Sequence, residues 1–267
     1  MPELPEVETV VRSIQQKVIN KEFSHLRVFW TKTLSTHTQT AACSILSGNK
    51  IEQLSRRGKY IIFKLTKDYI IIHLRMTGKL IYKANENSKP KHLRTRFNFT
   101  DGSILDFTDI RKFGRIELIN NLDYLENKLG KEPKECSPSY LIKKLASRKR
   151  SIKASLLDQS IIAGLGNIYT DEILWKSKIN PMTPSNKLTL KKINLIIINM
   201  QKTINDAINH MGTTFLTFSF EGNKKGNYGS QLKVFSKTNQ PCPNCSTPIK
   251  KIKIIQRGTY LCPKCQN

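Results

Sequence analysis

Acidic residues are scarce in this chain of 267. There are 20 Asp and Glu against 45 Lys and Arg, a formal net charge of +25. A surface this unbalanced repels itself and is relieved by a polyanion, so nucleic acid is the first partner class implied and an anionic membrane the second. The plain alternative is a Lys-rich solvated surface. Long apolar runs are missing too: Tyr69–Ile72 and Leu195–Ile198 fall far short of the roughly 18 residues that cross a bilayer. No amphipathic helix carries a wholly basic polar face, which argues against membrane attachment. The opening Met1-Pro2-Glu3-Leu4-Pro5-Glu6 is neither basic nor followed by an apolar stretch, so an intracellular chain without a secretory leader is expected. Internal repeats and extended low-complexity tracts are absent. The hydrophobic content of 38% is enough for ordinary cores, and the length allows two domains.

Cysteines are few and unevenly placed. Cys43 and Cys136 stand alone, whereas Cys242, Cys245, Cys262 and Cys265 form two Cys-x-x-Cys pairs with sixteen residues between them. That spacing lies in the zinc-ribbon window, and four thiolates suit tetrahedral Zn²⁺. Disulfides are the alternative, but nothing else in the chain points to an oxidising compartment.

The first element is a helix. Pro5 suits its first turn, Glu6 and Glu8 complement the positive end of its dipole, and Val7, Val10, Val11, Ile14 and Val18 recur at helical spacing. Residues 1–4 precede it as a short extended arm. From residue 22 to about 120 the pattern is strand-like: Tyr60–Leu65, Tyr69–Leu74, an alternating Arg96–Phe99, a turn at Asp101-Gly102, Ile104–Phe107 and Gly114–Ile119. Several short strands at this spacing predict a β-sandwich flanked by the first helix. After Gly130-Lys131-Glu132-Pro133 the period becomes helical, with helices predicted over Tyr140–Ala146, Ser155–Ile162, Asn167–Trp175 (capped by Asn167) and Leu188–Met211, the last ended by Gly212. A polar stretch, Thr213–Ser230, leads to the cysteine module.

Four constellations carry chemistry. In the cysteine module, Ile252–Ile255 and Thr259–Leu261 can pair as a hairpin with Gln256-Arg257-Gly258 at its tip, and an arginine there can reach a phosphate. Gly164-Leu165-Gly166-Asn167 opens a helix just downstream of Arg148, Lys149, Arg150 and Lys153, a setting that favours phosphate but is also compatible with an ordinary turn. Arg75-Met76-Thr77-Gly78 and Asp109-Ile110-Arg111-Lys112-Phe113-Gly114 each place a bulky apolar residue in a turn. Either these residues anchor the turns to the core, or they wedge between base steps. At the amino terminus, removal of Met1 exposes a secondary amine on Pro2 beside Glu3 and Glu6; the alternative is an inert tail. Amines attack electrophilic carbon and carboxylates shuttle protons.

Together these motifs resemble the formamidopyrimidine-DNA glycosylase family. Pro2–Thr9, Arg57–Tyr60, His73–Gly78, Lys91-His92, Asp109–Arg115, Gly164–Tyr169, Gly212–Thr214 and the cysteine module occur in the family's order along essentially the whole chain. The resemblance implies an α+β, two-domain protein. Residues 1–132 would form the N-terminal helix-flanked β-sandwich. Residues 133–230 would form a helical helix–two-turn–helix domain with a lesion-capping loop, and residues 231–267 a four-cysteine zinc-finger hairpin. DNA would lie between the domains, with a damaged purine flipped from the stack. Pro2 would be the nucleophile, Glu3 the general acid/base, Glu6 an ordering group, Lys59 a phosphate contact that assists elimination, and Arg257 a binder of the flanking phosphates. Asn167, Arg150, Lys153 and His92 match DNA-contact positions. Met76, Arg111 and Phe113 match the residues that fill the gap left by the flipped base. One structural Zn²⁺, double-stranded DNA bearing oxidised bases or abasic sites, a monomeric state and a cytoplasmic, nucleoid-associated location follow from the same resemblance.

The chain departs from the family pattern at Arg94, where a second His is common, at Arg150, where a Lys is common, and at Lys224 and Lys225 in the loop. Two rivals compete with this reading. An endonuclease VIII-type glycosylase for oxidised pyrimidines usually begins Pro-Glu-Gly-Pro, whereas this chain has Leu4. A non-enzymatic zinc-dependent DNA-binding protein explains the charge and the ribbon but has no use for a free Pro2.

Overall fold

The computed structural model describes residues 1–85, 89–213 and 226–266. Most of the polar stretch expected to cap the lesion, including Lys224 and Lys225, lies outside the described residues. Contacts divide the chain into two compact units, Met1–Leu125 with Met211–Asn227, and Glu126–His210 with Tyr228–Asn267.

The first unit begins with α1 (Leu4–Val18), which buries Val7, Val10, Val11, Ile14 and Val18 as the spacing predicts. Eight strands follow: β1 (Phe23–Val28), β2 (Ile51–Arg57), β3 (Tyr60–Leu65), β4 (Tyr69–His73), β5 (Gly78–Lys83), β6 (Leu93–Phe99), β7 (Ile104–Asp109) and β8 (Arg115–Ile119). A short helix, α2 (Gln39–Leu46), packs on β1. The strands form two antiparallel four-stranded sheets, ordered β1-β6-β7-β5 and β2-β3-β4-β8. One apolar cluster joins both sheets to the inner face of α1.

β6 departs from the alternation predicted for Arg96–Phe99, because all four residues are buried. It is an inner strand, and Arg96 lies opposite Asp106 on β7 in the ladder register. The guanidinium donates to both carboxylate oxygens, at 2.6 and 2.8 Å, with the pair enclosed at 2% and 0% exposure. A charge leaves water at this depth only when paired, and the bidentate geometry supplies that pairing.

The second unit holds α4 (Pro138–Leu145), α5 (Ile152–Leu156), α6 (Asn167–Lys176) and α7 (Leu190–Asn209), with α3 (Asp123–Lys128) spanning the boundary between the units. Two expectations change here. The helix predicted over Ser155–Ile162 is instead α5. Ser151 caps its start by accepting from the Ala154 N–H at 3.3 Å. After Leu156 the Asp158 carboxylate takes the N–H and hydroxyl of Ser160 at 2.9 and 2.7 Å, which turns the chain out of the helix. Asn167 is not the cap of α6: Gly166 holds that position in extended backbone, and Asn167 is the first helical residue. α7 turns Ile193, Ile196, Ile197, Met200 and Ile204 inward, and Thr189 caps its start. Among the described residues, no helix is long and apolar enough to cross a membrane.

The tail forms β9 (Lys250–Ile254) and β10 (Arg257–Leu261), an antiparallel hairpin. Ile254 pairs with Arg257, so the two-residue turn is Ile255-Gln256 and Arg257 closes it. Both turn residues have positive φ, 42° and 60°. That matches the twist of a tight hairpin but is costly for a β-branched isoleucine.

Candidate nucleic-acid interface

Each unit presents part of the predicted site. In the first unit, the chain start is tied into α1 by a reciprocal capping box. The Glu3 side chain accepts the Glu6 N–H, and Glu6 Oε2 accepts the Glu3 N–H at 2.8 Å. Pro2 is buried behind the exposed Met1, and both carboxylates are 2% exposed. The second oxygen of Glu6 accepts the N–H and hydroxyl of Thr213, at 2.7 and 3.0 Å. Gly212 makes this approach possible: its φ is +75°, and a Cβ there would stand 2.6 Å from Glu6 Oε1. Lys59, buried in the β2–β3 turn, follows Gly58 at φ +58°.

A second cluster lies at the ends of β4, β7 and β8. Met76 and Phe113 are 41% and 46% exposed, which excludes the core-anchor alternative for both turns. Arg111 joins them, its guanidinium 4.7 Å from the centre of the Phe113 ring and donating to Met76 Sδ. The two turns are held together by Asp109, buried at 1% exposure. One carboxylate oxygen accepts the Thr77 hydroxyl and the Arg111 N–H, and the other accepts the Gly114 N–H at 2.7 Å. Its own N–H donates to the carbonyl of the exposed His92. Sequence reading named the displayed side chains but missed Asp109 as the group that displays them; the Asp that opens the second motif was the available signal.

The second unit gathers Lys153, Asn167 and the Arg257 hairpin. Lys153 was expected to be a DNA contact, yet it is wholly enclosed. Its ammonium donates to Asp171 Oδ1 at 2.7 Å, Thr259 Oγ1 at 2.8 Å and the Gly258 carbonyl at 3.2 Å. Asn167 donates its amide to the same carbonyl at 2.9 Å. Asp171 Oδ2 accepts the Tyr260 N–H at 3.0 Å. Burial pushes the Asp171 carboxyl well above the ordinary carboxylate range, while Lys153 pulls it back. The next residue, Glu172, accepts the N–H groups of Lys233, Val234 and Phe235. Arg150 stands outside this group and pairs with Asp158 and Ser155. Arg257 itself is exposed.

The four tail cysteines place their sulfurs within 4.8 Å of one another, with Cys245–Cys262 at 3.4 Å and Cys242–Cys265 at 3.9 Å. Sulfurs about 2.3 Å from a shared tetrahedral centre lie about 3.8 Å apart, so the cluster fits one structural Zn²⁺. Trp175 on α6 donates its indole N–H to Cys242 Sγ at 3.4 Å and packs in the apolar cluster beneath.

Comparison with known proteins matches this arrangement in three consecutive stretches. Residues 1–116 match the model of the formamidopyrimidine-DNA glycosylase N-terminal domain, residues 129–219 its H2TH domain, and residues 239–267 a zinc finger found in FPG and IleRS. The formamidopyrimidine-DNA glycosylase of Ligilactobacillus salivarius is 41% identical, and the match covers 100% of this chain and 99% of that one. The enzyme of Streptococcus pneumoniae is 39% identical with the same coverage. Among solved structures, wild-type Lactococcus lactis Fpg bound to DNA containing N7-benzyl-Fapy-dG superposes with a TM-score of 0.92 at 35% identity, covering 100% of both chains. A complex of that enzyme with abasic-site DNA also gives 0.92 at 35% identity, over 99% of both chains.

Proposed function

Because this chain belongs to the formamidopyrimidine-DNA glycosylase family, we propose that it excises oxidised purines, 8-oxoguanine and formamidopyrimidines, from duplex DNA and then cleaves the abasic strand. The observation that carries this reading is the chain start: Pro2 enclosed beside two buried carboxylates that brace one helix end. Once Met1 is removed, the Pro2 nitrogen is a secondary amine. Its lone pair forms a new bond to C1′ as the glycosidic bond to the damaged base breaks, and the base leaves with the electron pair of that broken bond and takes up a proton. Glu3 acts as the acid/base that moves protons during ring opening and imine formation. The resulting iminium acidifies the C2′ proton. Its loss expels the 3′ phosphate, and a second elimination expels the 5′ phosphate. Glu6 orders the arm, and Lys59 contacts substrate phosphate and assists elimination.

Arg257 binds the phosphates flanking the lesion, with Asn167 beside it. His92 and Arg150 add phosphate contacts, while Met76, Arg111 and Phe113 occupy the space left by the flipped base. Lys153, enclosed among hairpin groups, holds Gly258 and Thr259 next to Arg257. Cys242, Cys245, Cys262 and Cys265 would hold zinc, and with all four positions filled by thiolates the ion would cross-link the cysteine module without a role in the chemistry.

The test is borohydride reduction during turnover on duplexes carrying 8-oxoguanine or thymine glycol. Covalent trapping at Pro2, faster on 8-oxoguanine, is expected, and Pro2→Ala or an uncleaved amino-terminal tag should abolish nicking. Undiminished nicking by the tagged protein rejects the mechanism. Preference for thymine glycol rejects the purine assignment.

A further inference from the structure

We infer that Asp171 is a positioning residue for DNA phosphate binding, acting through the hairpin tip that carries Arg257. This rests on the reading of Arg257 given above. Asp171 lies on α6, far in sequence from the hairpin, and belongs to none of the predicted site residues. Its carboxylate is enclosed, and both oxygens are used on groups that fix the hairpin. Oδ2 holds the Tyr260 N–H directly, and Oδ1 holds Lys153. Lys153 in turn grips Gly258 O and Thr259 Oγ1. Thr259 Oγ1 closes the chain of contacts by donating to the Arg257 carbonyl at 3.3 Å.

The residues from Arg257 to Tyr260 are therefore held from one side by a network that ends on a single carboxylate. The other side of the tip explains why such a hold is needed. Ile255, 56% exposed, turns the chain at φ 42°, a conformation a β-branched residue resists. Strained backbone persists only where its surroundings over-determine it. Cross-strand pairing supplies one constraint and the Asp171 network the second. An exposed arginine on an otherwise strained turn would sample several positions, and phosphate binding would then carry the cost of ordering it.

The experiment is a double-variant cycle read as affinity for a duplex carrying a tetrahydrofuran abasic analogue, using the full zinc-loaded chain. Asp171→Asn keeps the volume but weakens the hold on Lys153 and Tyr260, and it should lower affinity about tenfold. In an Arg257→Ala background the same change should cost less than about twofold, because its effect is already lost. Amide exchange at residues 255–258 should accelerate in Asp171→Asn without DNA, and zinc content by native mass should be unchanged.

Asp171→Asn leaves a buried ammonium poorly balanced. The paired change Asp171→Leu with Lys153→Met removes both charges and restores packing, yet should keep the affinity loss and the faster exchange. Equal losses with and without Arg257, or an unchanged rate of exchange at the tip in the paired variant, overturn the inference alone. An Arg257→Ala chain that binds as tightly as the parent overturns the phosphate contact and this inference with it.

Discussion

Replacing Asp109 with alanine should detach the two turns that display Met76, Arg111 and Phe113. The carboxylate satisfies three donors: the Thr77 hydroxyl, the Arg111 N–H at 3.1 Å and the Gly114 N–H at 2.7 Å. The Arg111 N–H keeps a second acceptor in Thr77 Oγ1, also at 3.1 Å, so two groups are stranded. Each stranded buried group costs about 1–3 kcal/mol, and water reaching the half-buried Thr77 recovers part of that. The net local cost is about 2–4 kcal/mol, which raises the local opening constant roughly 30- to 1000-fold. Hydrogen exchange should show the Arg111 and Gly114 amides exchanging faster by that range, with β3 and β4 unaffected. Fluorescence anisotropy should show about tenfold weaker binding to abasic-analogue duplex and little change on undamaged duplex. If both amides keep their protection in Asp109→Ala, Asp109 is not what holds the turns, and the account of this cluster fails.

Two further outcomes are expected. Lys21 and Ser103 hold Asp101 down at about 2; Arg150 and Ser160, working against burial, do the same for Asp158. Both carboxyls sit below their ordinary 3.8 when folded, so their stabilisation is complete above about pH 4 and is lost as pH falls from there to 2. Both are partly exposed, so the total is under about 1 kcal/mol, and melting temperatures between pH 5 and 2 should fall less steeply in an Asp101→Asn, Asp158→Asn chain; an identical slope counts against the assignment. At the hairpin, Ile255→Asn with Gln256→Gly gives the turn residues that positive φ prefers and should stabilise the chain by about 1–2 kcal/mol in urea titration; no gain would mean the turn is unstrained.

Much of this molecule was legible from residue pattern. The α1 face, the Tyr60–Leu65 strand, the hairpin and the cysteine cluster follow from periods and spacings that local backbone geometry enforces. What escaped depends on which partner a side chain meets on another element. Arg96 looked like the outward residue of an alternating strand, because its partner Asp106 lies on the neighbouring strand. Lys153 looked like a surface cation, because Asp171 and Thr259 are 18 and 106 residues away. Asn167 looked like a cap because its type favours one, but Gly166 takes that position and Asn167 is the first helical residue, its side-chain N–H given to the Gly258 carbonyl. A residue's chemical type gives what it can bind; only the fold decides which partner it meets.

The reach between Glu6 and Thr213 has a consequence for how the protein is made. These residues are 207 positions apart yet belong to one compact unit, to which Met211–Asn227 contributes a returning segment. A ribosome that has released the whole β-sandwich has still not delivered Thr213, which supplies two donors to Glu6 Oε1. The amino-terminal arm thus waits for a residue 207 positions downstream of Glu6, and a fragment cut after the sandwich, or a chimera joined there, would keep the Glu3–Glu6 capping box but lack the Thr213 contact.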